Sequence, residues 1–144
     1  MEIRRVVIAD DSSMARMFIR KCLEIAGLAE AEFVEVPDGE KALAACREKP
    51  TDLLVTDLNM PVLDGTEVLR RVSASPKLFG LPVLVISSLA NETKEKELRA
   101  LGAVAVLRKP INPVVVSEVI EAIVRGDEPL PGTGSGVWNT EEPT

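Results

Sequence analysis

The chain has 144 residues, of which 46% are hydrophobic and 28% charged, and a formal net charge of -6. That length allows one domain with a real core, and the composition excludes a disordered chain. The acidic balance disfavours nonspecific nucleic-acid binding, no run approaches the length of a membrane-spanning helix, and the absence of histidine removes both the commonest general base and any phosphohistidine chemistry on this chain.

Met1 to Arg5 runs directly into a strand-like segment with no signal-peptide pattern, so a cytoplasmic location is expected. Val6-Val7-Ile8-Ala9 is a short β-branched run ending at Asp10-Asp11. Ser12 and Ser13 then offer an N-cap, and Met14, Phe18, Cys22 and Ile25 recur at helical spacing until Gly27 stops the helix. Phe33 to Val36 reads as a second strand, Pro37-Asp38-Gly39 as a turn, and Glu40 to Lys49 as a helix with Ala42, Leu43 and Cys46 inward, closed by Pro50. Both cysteines, Cys22 and Cys46, fall in helices and read as small buried hydrophobes; without histidine they make a poor transition-metal site.

Leu53-Leu54-Val55-Thr56 is a continuous apolar or β-branched run, the pattern of a strand buried on both faces, and it ends in Asp57. After the loop to Gly65, Val68, Leu69 and Val72 mark a third helix. Pro82 to Ile86 is a fourth strand ending at Ser87-Ser88. Asn91 caps a charged helix from Glu92 to Leu101 whose large apolar anchors are Leu98 and Leu101, and Gly102 ends it. Ala103 to Leu107 is the fifth strand, followed by Arg108-Lys109-Pro110, and Asn112-Pro113 opens a last helix with Val115, Val119, Ile120 and Ile123. Strict alternation of this kind predicts an α/β doubly wound parallel sheet of five strands, helices on both faces and right-handed crossovers. The boundaries expected are a domain over residues 1–126 and an acidic, Pro/Gly-rich tail over 127–144. The tail carries Asp127, Glu128, Glu141 and Glu142 with no Lys or Arg, hence four of the six net negative charges, and it is expected to be flexible, with Trp138 a tail residue of no assigned role.

In a parallel sheet the strand ends share one edge, and ligands bind outside the carboxyl ends of the strands. Asp10, Asp11, Asp57, Ser87 and Lys109 therefore gather there. Clustered carboxylates repel and call for a cation or a proton; Mg2+ takes oxygen ligands, while a lysine and a hydroxyl suit phosphoryl oxygens. Taken singly, each residue has an ordinary reading: helix caps for Asp10 and Asp11, a loop serine for Ser87, a surface lysine for Lys109, turn chemistry for Asn59, Pro61 and Gly65. Their joint placement at successive strand ends points to phosphoryl transfer onto a carboxylate.

Asp10-Asp11-Ser12-Ser13, the run Asp57 to Gly65, Ser87 and Lys109-Pro110 together resemble the receiver domain of two-component response regulators, in particular the single-domain chemotaxis type, over residues 4–125. The resemblance implies a flavodoxin-like sheet in the order 2-1-3-4-5. It also implies Asp57 as phosphoacceptor, Asp11 as a direct Mg2+ ligand, Asp10 as one acting largely through water, and the backbone carbonyl of Asn59 as a third protein ligand. Ser87 and Lys109 would hold the phosphoryl group, and the Lys109–Pro110 peptide would be cis. A sensor histidine kinase is the implied phosphodonor. The implied output is a protein contact through the fourth helix, fifth strand and fifth helix, since no output domain follows, with neither nucleic acid nor membrane as partner. The chain would not be an enzyme beyond Mg2+-dependent self-phosphorylation and autodephosphorylation. Val106 departs from the family, which often has an aromatic switch residue three before the lysine; the loop Ser88-Leu89-Ala90 is expected to carry more of the change instead.

Other readings fit less well. A pseudo-receiver scaffold working without phosphorylation would not need the full acidic and lysine set. An aspartyl-nucleophile phosphatase resembles a pattern with Asp-x-Asp, where this chain has adjacent aspartates. A flavodoxin-type protein would want aromatics to flank a flavin, and this chain has no tyrosine; a nucleotide P-loop is also absent.

Overall fold

The computed structural model describes residues 1–127 and Pro129; the expectations for the rest of the tail, Trp138 included, lie outside the described residues. Five strands, β1 (Arg5–Ala9), β2 (Glu32–Val36), β3 (Leu53–Thr56), β4 (Val83–Ser87) and β5 (Ala105–Arg108), alternate with five helices, α1 (Ser13–Leu23), α2 (Gly39–Glu48), α3 (Gly65–Ala74), α4 (Glu92–Ala100) and α5 (Pro113–Arg125). All pairings are parallel and the order is β2-β1-β3-β4-β5, the one the resemblance implies.

The apolar runs form strands because both of their faces are covered. Val7, Ala9, Leu54, Val83, Val85 and Val106 face a core shared with α2, α3 and α4. Their neighbours Val6, Ile8, Leu53, Val55, Leu84, Ile86 and Leu107 face a second core shared with α1 and α5. Successive residues thus point to opposite sides, and the polar residues buried in these strands, Arg5, Thr56 and Ser87, stand at their ends. β2 lies at an open edge and is correspondingly mixed, with Glu32 and Glu35 exposed among its apolar positions.

Each helix starts where a side chain can cap it. Ser12, Asp38, Asp64, Asn91 and Asn112 accept backbone N–H bonds at the starts of α1 to α5 in turn. α5 begins with Pro113 and ends at Gly126 in the left-handed region, φ 83°.

The helical stripe expected on α1 is corrected. Met14, Phe18 and Ile25 are exposed; the buried face is Ile19, Cys22 and Leu23. Both stripes obey helical spacing and share Cys22, so periodicity alone does not choose between them; contact with α5 and the sheet does. The helix leaves through a wide turn over Glu24–Leu28, in which Gly27 takes φ 108°. α4 carries one buried large apolar residue, Leu98, and Leu101 beyond it is half-buried. Past α5 the chain keeps contact with the fold: the Asp127 N–H donates to Ala122 O at 2.8 Å, and Pro129 is buried.

Candidate functional site

Asp10, Asp57 and Lys109 stand one step beyond their strands, still on the sheet's hydrogen-bond ladder, and Ser87 is the last residue of β4. Asp10 N donates to Val36 O at 3.1 Å, Asp57 N to Ala9 O at 3.0 Å and Lys109 N to Ser87 O at 3.1 Å. The register that pairs Ala9 with Thr56, Thr56 with Val85 and Ser87 with Arg108 therefore delivers Asp10, Asp57, Ser87 and Lys109 to one edge. Asp11 follows Asp10 on the same turn. One carboxylate oxygen from each of Asp10, Asp11 and Asp57 lies within 4.8 Å of the others, a group able to hold a metal ion.

Asp10 is 1% exposed and has both oxygens engaged: Oδ1 accepts Ser12 N at 2.9 Å and Oδ2 accepts Lys109 Nζ at 2.7 Å. Asp57 is 7% exposed; its Oδ1 accepts Leu58 N at 2.7 Å and its Oδ2 meets the same Lys109 Nζ at 3.4 Å. Asp11 is exposed, as is Asn59 in the loop after β3. Ser87 is buried, and its Oγ accepts Leu89 N at 3.0 Å, which fixes the hydroxyl at the start of the β4–α4 loop. The Lys109–Pro110 peptide is cis. Val106, at the position of the expected aromatic, is 1% exposed and lies in the core beneath α4.

Burial lifts the Asp57 carboxyl above the usual carboxylate range; Lys109 pulls it back and the negative Asp10 pushes it further up. For Lys109, burial works against the ammonium, yet the hydrogen bond to Asp10 and the charges of both aspartates leave its pKa raised. The lysine stays charged and answers part of the negative charge. Hard oxygen donors crowded beyond what one ammonium can neutralise are the donor set that Mg2+ takes.

Several features have no counterpart in the sequence reading. Lys109 sits closer to Asp10 than to Asp57. Thr56 Oγ1 is buried and donates to Asp57 O at 2.9 Å, and a Cβ on Gly65 would run into that same carbonyl, so α3 starts in close contact with the end of β3. Arg16 Nη1 donates to Asp10 O at 2.5 Å. A β-branched residue at the end of a strand, or an arginine on a helix, carries no signal of such a bond; it appears only when the backbone course is known. Beside Lys109, between α1 and the loop after β5, an almost wholly apolar cleft of about 400 Å³ is lined by Phe18, Ile19, Ile86 and Ile111.

The response regulator receiver domain family model matches residues 6–121. The chemotaxis protein CheY of Pseudomonas aeruginosa is 34% identical over 119 residues, covering 83% of this chain and 94% of that protein. The sensor histidine kinase TmoS of Ectopseudomonas mendocina is 32% identical over 127 residues, which are 85% of this chain but 13% of the kinase. Among solved structures, the chemotaxis response regulator CheY4 of Vibrio cholerae superposes with a TM-score of 0.71 at 28% identity, covering 86% of this chain and 98% of that one. The chain thus spans nearly the whole of one kind of relative and a small part of the other.

Proposed function

This chain belongs to the response regulator receiver family, and we propose that its Asp57 accepts a phosphoryl group from the phosphohistidine of a sensor histidine kinase. The observation that carries the reading is the Asp10–Asp11–Asp57 cluster with Lys109 bridging two of its members. In the transfer, an Asp57 carboxylate oxygen forms a bond to phosphorus as the P–N bond of the donor breaks, and the imidazole nitrogen keeps the electron pair. Asp11 and Asp57, with the Asn59 carbonyl, would hold Mg2+ directly, and Asp10 would act largely through water. When bound, the ion supplies the charge neutralisation that brings carboxylate and phosphoryl oxygens together.

The remaining work belongs to the chain. Lys109 Nζ stands 3.4 Å from Asp57 Oδ2, where it can take a phosphoryl oxygen. The Ser87 hydroxyl donates to another, which draws on the loop that its Oγ now anchors through Leu89 N. The Leu58 N–H holds Asp57 Oδ1 and so fixes the plane of the nucleophile. Hydrolysis reverses the state: water attacks phosphorus, the P–O bond to Asp57 breaks, and the water's proton passes to solvent. No separate substrate is turned over, so the protein acts as a switch rather than an enzyme.

Output on this reading is a phosphorylation-dependent protein contact on the face formed by α4, β5 and α5, with neither nucleic acid nor membrane as partner, and the place of action is the cytoplasm. No helix among the described residues is long and apolar enough to cross a membrane. On this reading the receiver domain comprises residues 1–126, and 127–144 form its acidic, Pro/Gly-rich C-terminal tail. The decisive experiment is labelling by acetyl phosphate in the presence of Mg2+. One hydroxylamine-sensitive phosphoryl group per chain, lost in Asp57→Asn, is expected. Equal label in Asp57→Asn would move the acceptor elsewhere, and no label on the wild type would leave a pseudo-receiver scaffold.

A further inference from the structure

Arg16 lies outside the set of groups that would touch a metal or a phosphoryl group, yet it is tied to the site more tightly than a surface arginine needs to be. It occupies α1 one turn after the N-cap Ser12, and its side chain, 16% exposed, runs back over the first turn of the helix, as helical side chains do. Its Nη1 donates to the main-chain carbonyl of Asp10 at 2.5 Å. Its Nε is 3.3 Å from Glu35 Oε1 on β2. Glu35 is held from its other side by Arg20, whose Nη1 lies 3.6 Å from Oε2, and Arg20 stacks over the Phe33 ring at 4.9 Å. Arg16 therefore closes a bracket from the edge strand, across α1, to one specific peptide group.

That peptide is the one joining Asp10 to Asp11. Asp10 is already fixed through its N–H, by Val36 O, and through both side-chain oxygens, by Ser12 and Lys109. Asp11 is exposed and reaches the cluster from the turn. Its direction is set by its backbone, and the orientation of its Cα follows from the plane of the preceding peptide. The bond from Arg16 holds that plane.

We propose that Arg16 is a positioning residue for the cation site: by fixing the Asp10 carbonyl it holds Asp11 where it shares a metal ion with Asp57. The proposal rests on the metal reading above. It differs from an electrostatic role in sign. A guanidinium near three carboxylates repels a divalent cation, so its removal would by charge alone tighten Mg2+ binding. A positioning role requires the opposite, because groups that orient metal ligands change affinity by about 10- to 100-fold when lost.

The experiment is a calorimetric titration of Mg2+ into the full chain for wild type, Arg16→Met and Arg16→Lys, with each protein's stability taken from urea unfolding. Arg16→Met is expected to bind Mg2+ about tenfold more weakly or worse while folded. Arg16→Lys keeps the charge but cannot hold Glu35 and the Asp10 carbonyl with one planar fork, so a smaller loss is expected. A purely structural role would lower stability and leave the affinity of the folded protein unchanged. Wild-type or tighter affinity in folded Arg16→Met overturns the proposal and leaves the metal reading standing. Should Arg16→Met not fold, Arg16→Lys decides: weakened binding supports the proposal and wild-type affinity overturns it. A wild type that takes up no Mg2+ overturns the metal reading, and the proposal with it.

Discussion

The interior of the sheet and its carboxyl edge follow opposite rules within a few residues of each other. In the interior, β1, β3 and β4 are buried at every position, and successive residues alternate between two apolar cores. Propensity, pattern and packing agree there. At the edge, Asp10, Asp57 and Ser87 are buried polar groups, two of the three carrying like charge. Val62, a β-branched residue, has φ 69° in the loop after β3. Met14, Phe18, Val62, Leu89 and Val114 are exposed in the segments that leave this edge. Such departures concentrate where a protein gives up stability for a task. Substitutions away from the local pattern should therefore lower stability in the interior, and substitutions toward it should raise stability at the edge.

The largest effect tests the interior. Leu54 is fully buried and pairs with Val7 on one side and Val83 on the other. Leu54→Ala should cost about 2–5 kcal/mol in urea unfolding, through lost transfer energy and the cavity left behind. A loss well under 1 kcal/mol would mean that the strands are not the rigid half of the comparison.

The edge should respond to the ion. At ten times its dissociation constant, a ligand that binds only the folded state adds about 1.4 kcal/mol. Mg2+ is expected to stabilise the wild type by that amount, to be reversed by EDTA, and to leave Asp57→Asn nearly unmoved. Equal stabilisation of both would place the ion away from Asp57.

Without metal, Asp57→Asn should be the more stable protein by about 1 kcal/mol, since neutralising one carboxylate relieves burial and like-charge repulsion together. The pH dependence follows from the raised pKa. The folded protein keeps the Asp57 proton at pH values where the unfolded chain, near 3.8, has lost it. Metal-free stability therefore falls as pH rises through that window, and the gap between variant and wild type opens over the same range. A gap that is constant from pH 3 to pH 7 would show that the carboxylate is not the source.

How much of this was legible in the sequence follows the same division. Strands and helices were, because Leu53 to Thr56 or Val83 to Ile86 can be accommodated in one way only when both faces are covered. The gathering of Asp10, Asp57, Ser87 and Lys109 was legible too, because parallel strands put their ends together. What the residues do to one another was not. Lys109 engages Asp10 at 2.7 Å because the backbone aims it there. Arg5 reads as a charged flank but is buried, donating from Nη1 to Ala45 O at 2.8 Å and Thr51 Oγ1 at 2.7 Å at the end of α2. The face of α1 was ambiguous because two stripes had the same period. Long-range polar bonds of this kind depend on the final backbone course and leave no periodic trace.

The smallest effect isolates backbone strain at the edge from its charges. Val62 has an uncharged side chain that is 72% exposed, so its replacement removes little packing. Its φ of 69° lies in the left-handed region, where a residue with Cβ is disfavoured by about 1–2 kcal/mol and a β-branched one fits worst. Asparagine tolerates that region, because its short polar side chain can bond to the local backbone, while it retains a Cβ that limits the unfolded chain. Val62→Asn should therefore raise stability by about 0.5–1 kcal/mol, which for a chain of this size is a few degrees in melting temperature. Val62→Gly relieves the same strain but gives the unfolded chain more freedom, by about 0.4–1 kcal/mol, so it should come out near neutral. The ordering Asn above Gly and Gly at or above Val, measured in the absence of metal, is the expected result. If both variants are less stable than wild type, the exposed valine contributes packing that its exposure does not reveal. The edge would then depart from local rules through its carboxylates alone.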